Sequence, residues 1–151
     1  MDLVINLQGD EPFVKKELLQ NLLNAFENDP KRTVKAASAM YQITDDEAII
    51  NPNHVKVVVD KNKNAIFFSR SIIPFPRDKN MDALYHKHIG IYAYRKQALM
   101  AFTHWPITPL EAAEKIECLR YLENGVTIKM VLTNESPVSI DSPEDLERAK
   151  K

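Results

Sequence analysis

Two segments of the chain share one build: an apolar strand-like run, an aspartate, then a proline-started helix. Leu3-Val4-Ile5 leads through Asn6-Leu7-Gln8-Gly9 into Asp10-Glu11-Pro12, and Val138-Ser139-Ile140 leads into Asp141-Ser142-Pro143. A join of this kind demands that strands and helices alternate, because each strand must cover its faces with the helix that follows. It also puts a carboxylate at the carboxyl end of each strand, which is where open α/β sheets bind their ligands.

The runs between these joins extend the alternation. Lys15 to Glu27 carries Leu18, Leu19, Leu22, Leu23 and Phe26 at helical spacing. Val34 to Met40 is a second strand, with the small residues Ala36, Ala37, Ser38 and Ala39. Thr44-Asp45-Asp46-Glu47 caps a short helix that Asn51-Pro52-Asn53 ends. His54 to Val59 and Ala65 to Ser69 form a hairpin across a polar turn, and Ile73-Pro74-Phe75-Pro76-Arg77 leaves the sheet as a loop.

In His88 to Tyr94, Ile89, Ile91 and Ala93 face one way and Gly90, Tyr92 and Tyr94 the other. Lys96 to Phe102 is a short helix. Thr108-Pro109-Leu110-Glu111 is a capping box, so a helix is expected from about Pro109 to Glu123, stopped by Asn124-Gly125. Val126 to Thr133 and Val138 to Ile140 are strands, and a terminal helix starts at Ser142. The pattern predicts one α/β domain over residues 1–151, with a mostly parallel sheet and a hairpin-rich excursion.

Composition excludes several functions. Lys and Arg number 20 against 21 acids, a net charge of −1 that gives no global attraction to nucleic acid or an anionic membrane. Glycine occurs only at Gly9, Gly90 and Gly125, which excludes the phosphate-cradling patterns G-x-x-x-x-G-K-[ST] and G-x-G-x-x-G. One cysteine, Cys118, excludes an internal disulfide framework and suits a reducing compartment. The start has no basic n-region and no apolar run is long enough for a bilayer, so the expected location is the cytoplasm.

Asp10 and Asp141, if their strands are neighbours, face one ligand as a carboxylate pair suited to Mg²⁺; as single residues they equally fit helix caps. His86 and His88 form an H-x-H pair on one strand face but lack further ligands for a tetrahedral zinc site. Arg70 and Arg77 flank the proline loop, either as grips for a carboxylate or phosphate or as solvated charges. Glu114 and Glu117, one helical turn apart, point together from the sheet edge or serve as surface charge, with Glu117 pairing Arg120. Cys118 has no adjacent histidine and reads as a small buried residue.

VINLQGDEP, FFSRSIIPFPR, HIGIYAYRKQAL, IECLRYLENG and SIDSPEDLERAKK stand in the order found in the 3-deoxy-manno-octulosonate cytidylyltransferases, the CMP-Kdo synthetases, and the chain resembles that family over nearly its whole length. The resemblance implies a Rossmann-like, glycosyltransferase-A-type nucleotidyltransferase fold: a mixed sheet with flanking helices and a hairpin-rich dimerisation region. It implies cytidylyl transfer from CTP to Kdo (3-deoxy-D-manno-octulosonate), giving CMP-Kdo and pyrophosphate for lipopolysaccharide synthesis. Asp10 and Asp141 would hold Mg²⁺, Gln8 would sit beside the sugar or nucleotide, and Arg70, His88, Tyr92 and Glu117 would line the Kdo pocket. A homodimer is expected, with neither nucleic acid nor membrane as partner.

Two departures from the family pattern qualify this. Cys118 stands where glutamine commonly follows the glutamate (LEQLR), which removes a sugar hydrogen-bond partner and keeps CMP activation of another ulosonic acid, such as sialic acid, as the alternative. The family's leading strand and basic triphosphate-binding loop have no counterpart here. The chain is therefore expected to be a piece of a longer enzyme or a non-catalytic remnant that folds and dimerises.

Overall fold

A computed structural model describes residues 2–8, 14–78 and 82–134. In chain order these form β1 (Leu3–Asn6), α1 (Lys16–Glu27), β2 (Ala36–Ile43), α2 (Asp46–Ile50), β3 (Lys56–Val59), β4 (Ala65–Ser69), β5 (Tyr85–Arg95), α3 (Lys96–His104), α4 (Pro109–Glu114), α5 (Leu119–Glu123) and β6 (Ile128–Thr133). The expected strand at Val138 to Ile140, the helix from Ser142, and both aspartates lie outside the described residues.

The strands form one six-stranded sheet in the order β4-β3-β5-β2-β6, with β1 also paired to β5. Its centre is β5, whose 11 residues span more than one neighbour on the same edge. Lys87 pairs with Lys56 of β3, while residues 92–95 pair with β1; the opposite edge is covered by β2. The expectation of a mostly parallel sheet is corrected here. Among the described strands only β2 and β6 run parallel, and the other pairings are antiparallel. The β3–β4 hairpin and proline loop return the chain to the sheet without a crossover helix, so β5 enters against its neighbours.

Each sheet face buries its own helices. Leu18, Leu22 and Phe26 of α1 pack on Ala37, Ala39, Ile89, Ile91 and Ala93. On the other face, Ala98 of α3 and the stretch Ile116 to Tyr121 cover Met40, Val57, Phe68, Tyr92, Tyr94, Ile128 and Met130. Burying a side chain such as Leu22 or Ile91, both fully enclosed, contributes roughly 1.5–3 kcal/mol. The alanines of β2 let α1 approach the sheet closely, and the predicted two faces of β5 are observed.

The single helix expected from Pro109 to Glu123 is two. Lys115 takes left-handed dihedrals (φ 56°, ψ 45°), which closes α4 after Glu114. The freed carbonyls of Glu114 and Lys115 accept from Arg70, Nε at 2.7 Å and Nη2 at 3.4 Å. Such donors are what a helix end needs. The turn is also held by Arg120, which pairs with Glu111 rather than with Glu117: Nε donates to Oε2 at 2.6 Å and Nη2 to Oε1, with the guanidinium 4.2 Å from the Phe102 ring centre. Gly125 (φ 73°) then ends α5 as expected.

Candidate active site

An irregularity in β5 organises the candidate site. Against β2, Ser38 pairs with Tyr92 but the next residue, Ala39, pairs with Ile89, so Gly90 and Ile91 have no partner on β2. Such a bulge leaves backbone groups outside the ladder and re-aims neighbouring side chains. Ser38, fully buried, fills it: its Oγ lies 2.9 Å from the Ile91 carbonyl, 3.1 Å from the Ile89 carbonyl and 2.9 Å from Nε2 of His88.

β1 brings the first predicted residue to the same place. Asn6 is in register with Tyr92, and the chain continues so that Gln8 lies over Gly90, its Oε1 3.3 Å from where a Cβ on that glycine would stand. The missing side chain there lets the Gln8 amide approach the strand closely. Gln8 is itself exposed, as a ligand-facing amide would be.

His88 and Tyr92 lie beside it on the same face of β5. The His88 ring is only 9% exposed, packed edge-on to Phe68 (centroids 5.0 Å apart) and tilted on Tyr92 (5.4 Å). Burial, aided by the Lys87 charge, pushes its pKa down to about 3, so the ring is neutral at physiological pH. Tyr92 stacks on Tyr94, their ring centroids 5.6 Å apart. Burial drives the Tyr92 phenol well above its usual range and the Cys118 thiol up to about 12. Glu117, exposed on the α4–α5 turn, adds its negative charge to both shifts.

Arg70 closes one side of the site as a clamp. Besides its bonds to the Glu114 and Lys115 carbonyls, its Nη1 donates to the Pro52 carbonyl at 3.0 Å, so three guanidinium nitrogens hold backbone and only the remaining N–H bonds are left for a ligand. Glu114 turns inward to the same place, accepting from the Ser69 hydroxyl at 2.6 Å and the Arg70 N–H at 3.0 Å, and is thereby separated in role from Glu117. Lys56, wholly buried, donates to the carbonyls of Asn51 (3.0 Å) and Arg70 (2.7 Å). Burial and the Arg70 charge push its ammonium below its usual range, while Glu114 opposes them.

Gln8, His88, Tyr92 and Glu117 thus gather around the β5 bulge and the α4–α5 turn, with Arg70 tied to that turn. Asp10 and Asp141 are outside the described residues, and among those described no group of three His, Cys, Asp or Glu could hold a metal ion. His86 and His88 belong to no such group among the described residues. Sequence reasoning missed Ser38 and Lys56. Each carried a signal: a lone hydroxyl in an alanine-rich buried strand, and a charge on the inward face of a hairpin strand.

The central mixed sheet with helices on both faces is a nucleotidyltransferase fold, as two superpositions show. The structure superposes with a TM-score of 0.59 over 98% of the chain on a Bacillus anthracis protein described as a glucose-1-phosphate thymidylyltransferase, at 16% identity, a likeness of fold alone. The chain belongs to the Cytidylyltransferase family, whose profile matches residues 1–128. It is 53% identical over 99% of its length to a 3-deoxy-manno-octulosonate cytidylyltransferase of Flavobacterium johnsoniae and 51% identical to one of Christiangramia forsetii. A CMP:2-keto-3-deoxy-manno-octonic acid synthetase complexed with CTP superposes with a TM-score of 0.91 over 99% of the chain, at 38% identity. The chain spans 62%, 61% and 60% of these three proteins' own lengths.

Proposed function

We propose that this chain serves cytidylyl transfer from CTP to Kdo, and the observation that carries the reading is its superposition, with a TM-score of 0.91, on a synthetase complexed with CTP. In that reaction the anomeric hydroxyl oxygen of Kdo forms a bond to the α-phosphorus of CTP. The bond from that phosphorus to the bridging oxygen breaks, pyrophosphate leaves, and the hydroxyl proton is lost to solvent.

The β5 floor would bind and orient the sugar. His88 and the Tyr92 hydroxyl oxygen offer uncharged hydrogen-bond partners, Glu117 an exposed carboxylate for sugar hydroxyls, Gln8 an amide, and Arg70 its uncommitted N–H groups. Holding the attacking oxygen in line with the phosphorus is the larger part of catalysis in phosphoryl-group chemistry. Asp10 and Asp141 would hold Mg²⁺, their hard carboxylate oxygens suiting a hard cation. When bound, Mg²⁺ supplies neutralisation of phosphate charge. We place the enzyme in the cytoplasm as a homodimer, as its resemblance to the family implies.

The test is pyrophosphate release by the purified chain with CTP, Kdo and Mg²⁺, beside Kdo-induced NMR shifts at the β5 floor. Release that requires sugar and metal, and that Asp10→Asn and Asp141→Asn each nearly abolish, supports the reading. A folded chain that neither releases pyrophosphate nor responds to Kdo refutes it, and faster turnover of another ulosonic acid would move the substrate assignment.

A further inference from the structure

The bulge fixes more than the position of His88. A serine hydroxyl has one proton and two lone pairs. In the fully buried pocket of Ser38 that proton faces two carbonyls, Ile91 at 2.9 Å and Ile89 at 3.1 Å, beside the place where β2 and β5 fall out of register. Carbonyls accept only, so the hydroxyl proton is spent on them and the serine oxygen turns its lone pairs outward. The ring nitrogen 2.9 Å away, Nε2 of His88, must then be the donor. Burial against Phe68 and Tyr92 keeps a second proton off the ring, and Nδ1 has no hydrogen bond among the described residues. It is the ring nitrogen left to meet a ligand.

We propose that Ser38 is a positioning residue that locks His88 in the Nε2–H tautomer, so that Nδ1 is presented as a hydrogen-bond acceptor for a hydroxyl of the sugar bound against β5. This rests on the reading of the site as a Kdo pocket. It deepens that reading by assigning the chemistry His88 selects: a neutral acceptor takes a hydroxyl and turns away a carboxylate or phosphate oxygen, which would meet lone pair with lone pair. A histidine free to change tautomer would accept either.

The tautomer can be read on the free ¹⁵N-labelled chain by long-range proton–nitrogen correlation near neutral pH, with no substrate present. The expected spectrum has His88 Nε2 protonated and Nδ1 not, and Kdo then shifts Nδ1. Ser38→Ala should release the ring to a mixture of tautomers and weaken Kdo binding roughly five- to tenfold, the loss of one ordinary hydrogen bond. In the same variant kcat at saturating sugar stays close to wild type, and Ser38→Thr, which keeps the hydroxyl, restores the single tautomer. A wild-type His88 protonated on Nδ1, or a Ser38→Ala variant with an unchanged tautomer, overturns the inference whatever the turnover. Kdo that shifts Gln8 and Tyr92 but leaves Nδ1 untouched overturns it while sparing the function. No Kdo response anywhere at the site sinks the function and this inference with it.

Discussion

Lowering the pH should destabilise this fold through His88. The ring's pKa is about 3 in the folded chain against an ordinary 6.5, because protonation would place a charge where burial and Lys87 both oppose it. The folded-state value is depressed, so the folded chain binds fewer protons than the unfolded chain between those values. Stability is therefore fully present above about pH 6.5, falls as pH is lowered below it, and levels off near pH 3. At about pH 5 the loss is one and a half units of unfavourable protonation, on the order of 2 kcal/mol. Urea unfolding at about pH 7.5 and pH 5 measures it, with His88→Gln as the reference that removes the titrating ring. Half-buried His86 is common to both proteins and cancels. Wild type should lose about 2 kcal/mol more than the variant between those two conditions. Equal losses, or a carbon–proton titration of His88 with a midpoint near its ordinary value, would refute the argument that burial keeps this ring neutral.

Two other perturbations test the turn that carries Glu117 and Cys118. Glu111→Gln leaves the Arg120 guanidinium half-paired in a site where both side chains are nearly enclosed (8% and 14% exposed), and should cost about 3 kcal/mol in urea unfolding; a cost under about 1 kcal/mol would show that water screens the pair. Cys118, with its thiol pushed up to about 12 by burial, should resist thiol-specific reagents in the native chain and label fully in denaturant. Rapid native labelling would show that the α4–α5 turn opens.

The parts of this fold legible in the sequence are those where one chain segment meets one sheet face. Period-two alternation sorted Ile89, Ile91 and Ala93 from Gly90, Tyr92 and Tyr94 because each face of β5 is covered by different helices. Leu18, Leu22 and Phe26 likewise announced the buried stripe of α1. Strand direction was not legible, since the same alternation suits a parallel or an antiparallel neighbour. Nor was the break at Lys115, whose stabilising donor, Arg70, lies 45 residues away from the carbonyl it caps. Residue types at the site were visible, but the bulge that assembles them arises from pairing between β2 and β5, and no local pattern in HIGIYAYR encodes it.

The bulge and its serine fit together. An alanine at position 38 would match its neighbours in β2 and remove the hydroxyl that the carbonyls of Ile89 and Ile91 share, at a cost of about 0.5–1.5 kcal/mol, the net worth of one hydrogen bond. The same economy extends across the floor of the site. The His88 ring, the Tyr92 and Tyr94 phenols and the Cys118 thiol are all buried, and burial holds each in its uncharged form. Exposed Glu117 and the Arg70 clamp add charge at the site's margin. A floor of neutral donors and acceptors discriminates by the direction of its hydrogen bonds, which suits the hydroxyls of a sugar acid better than its carboxylate, and leaves charge recognition to the rim.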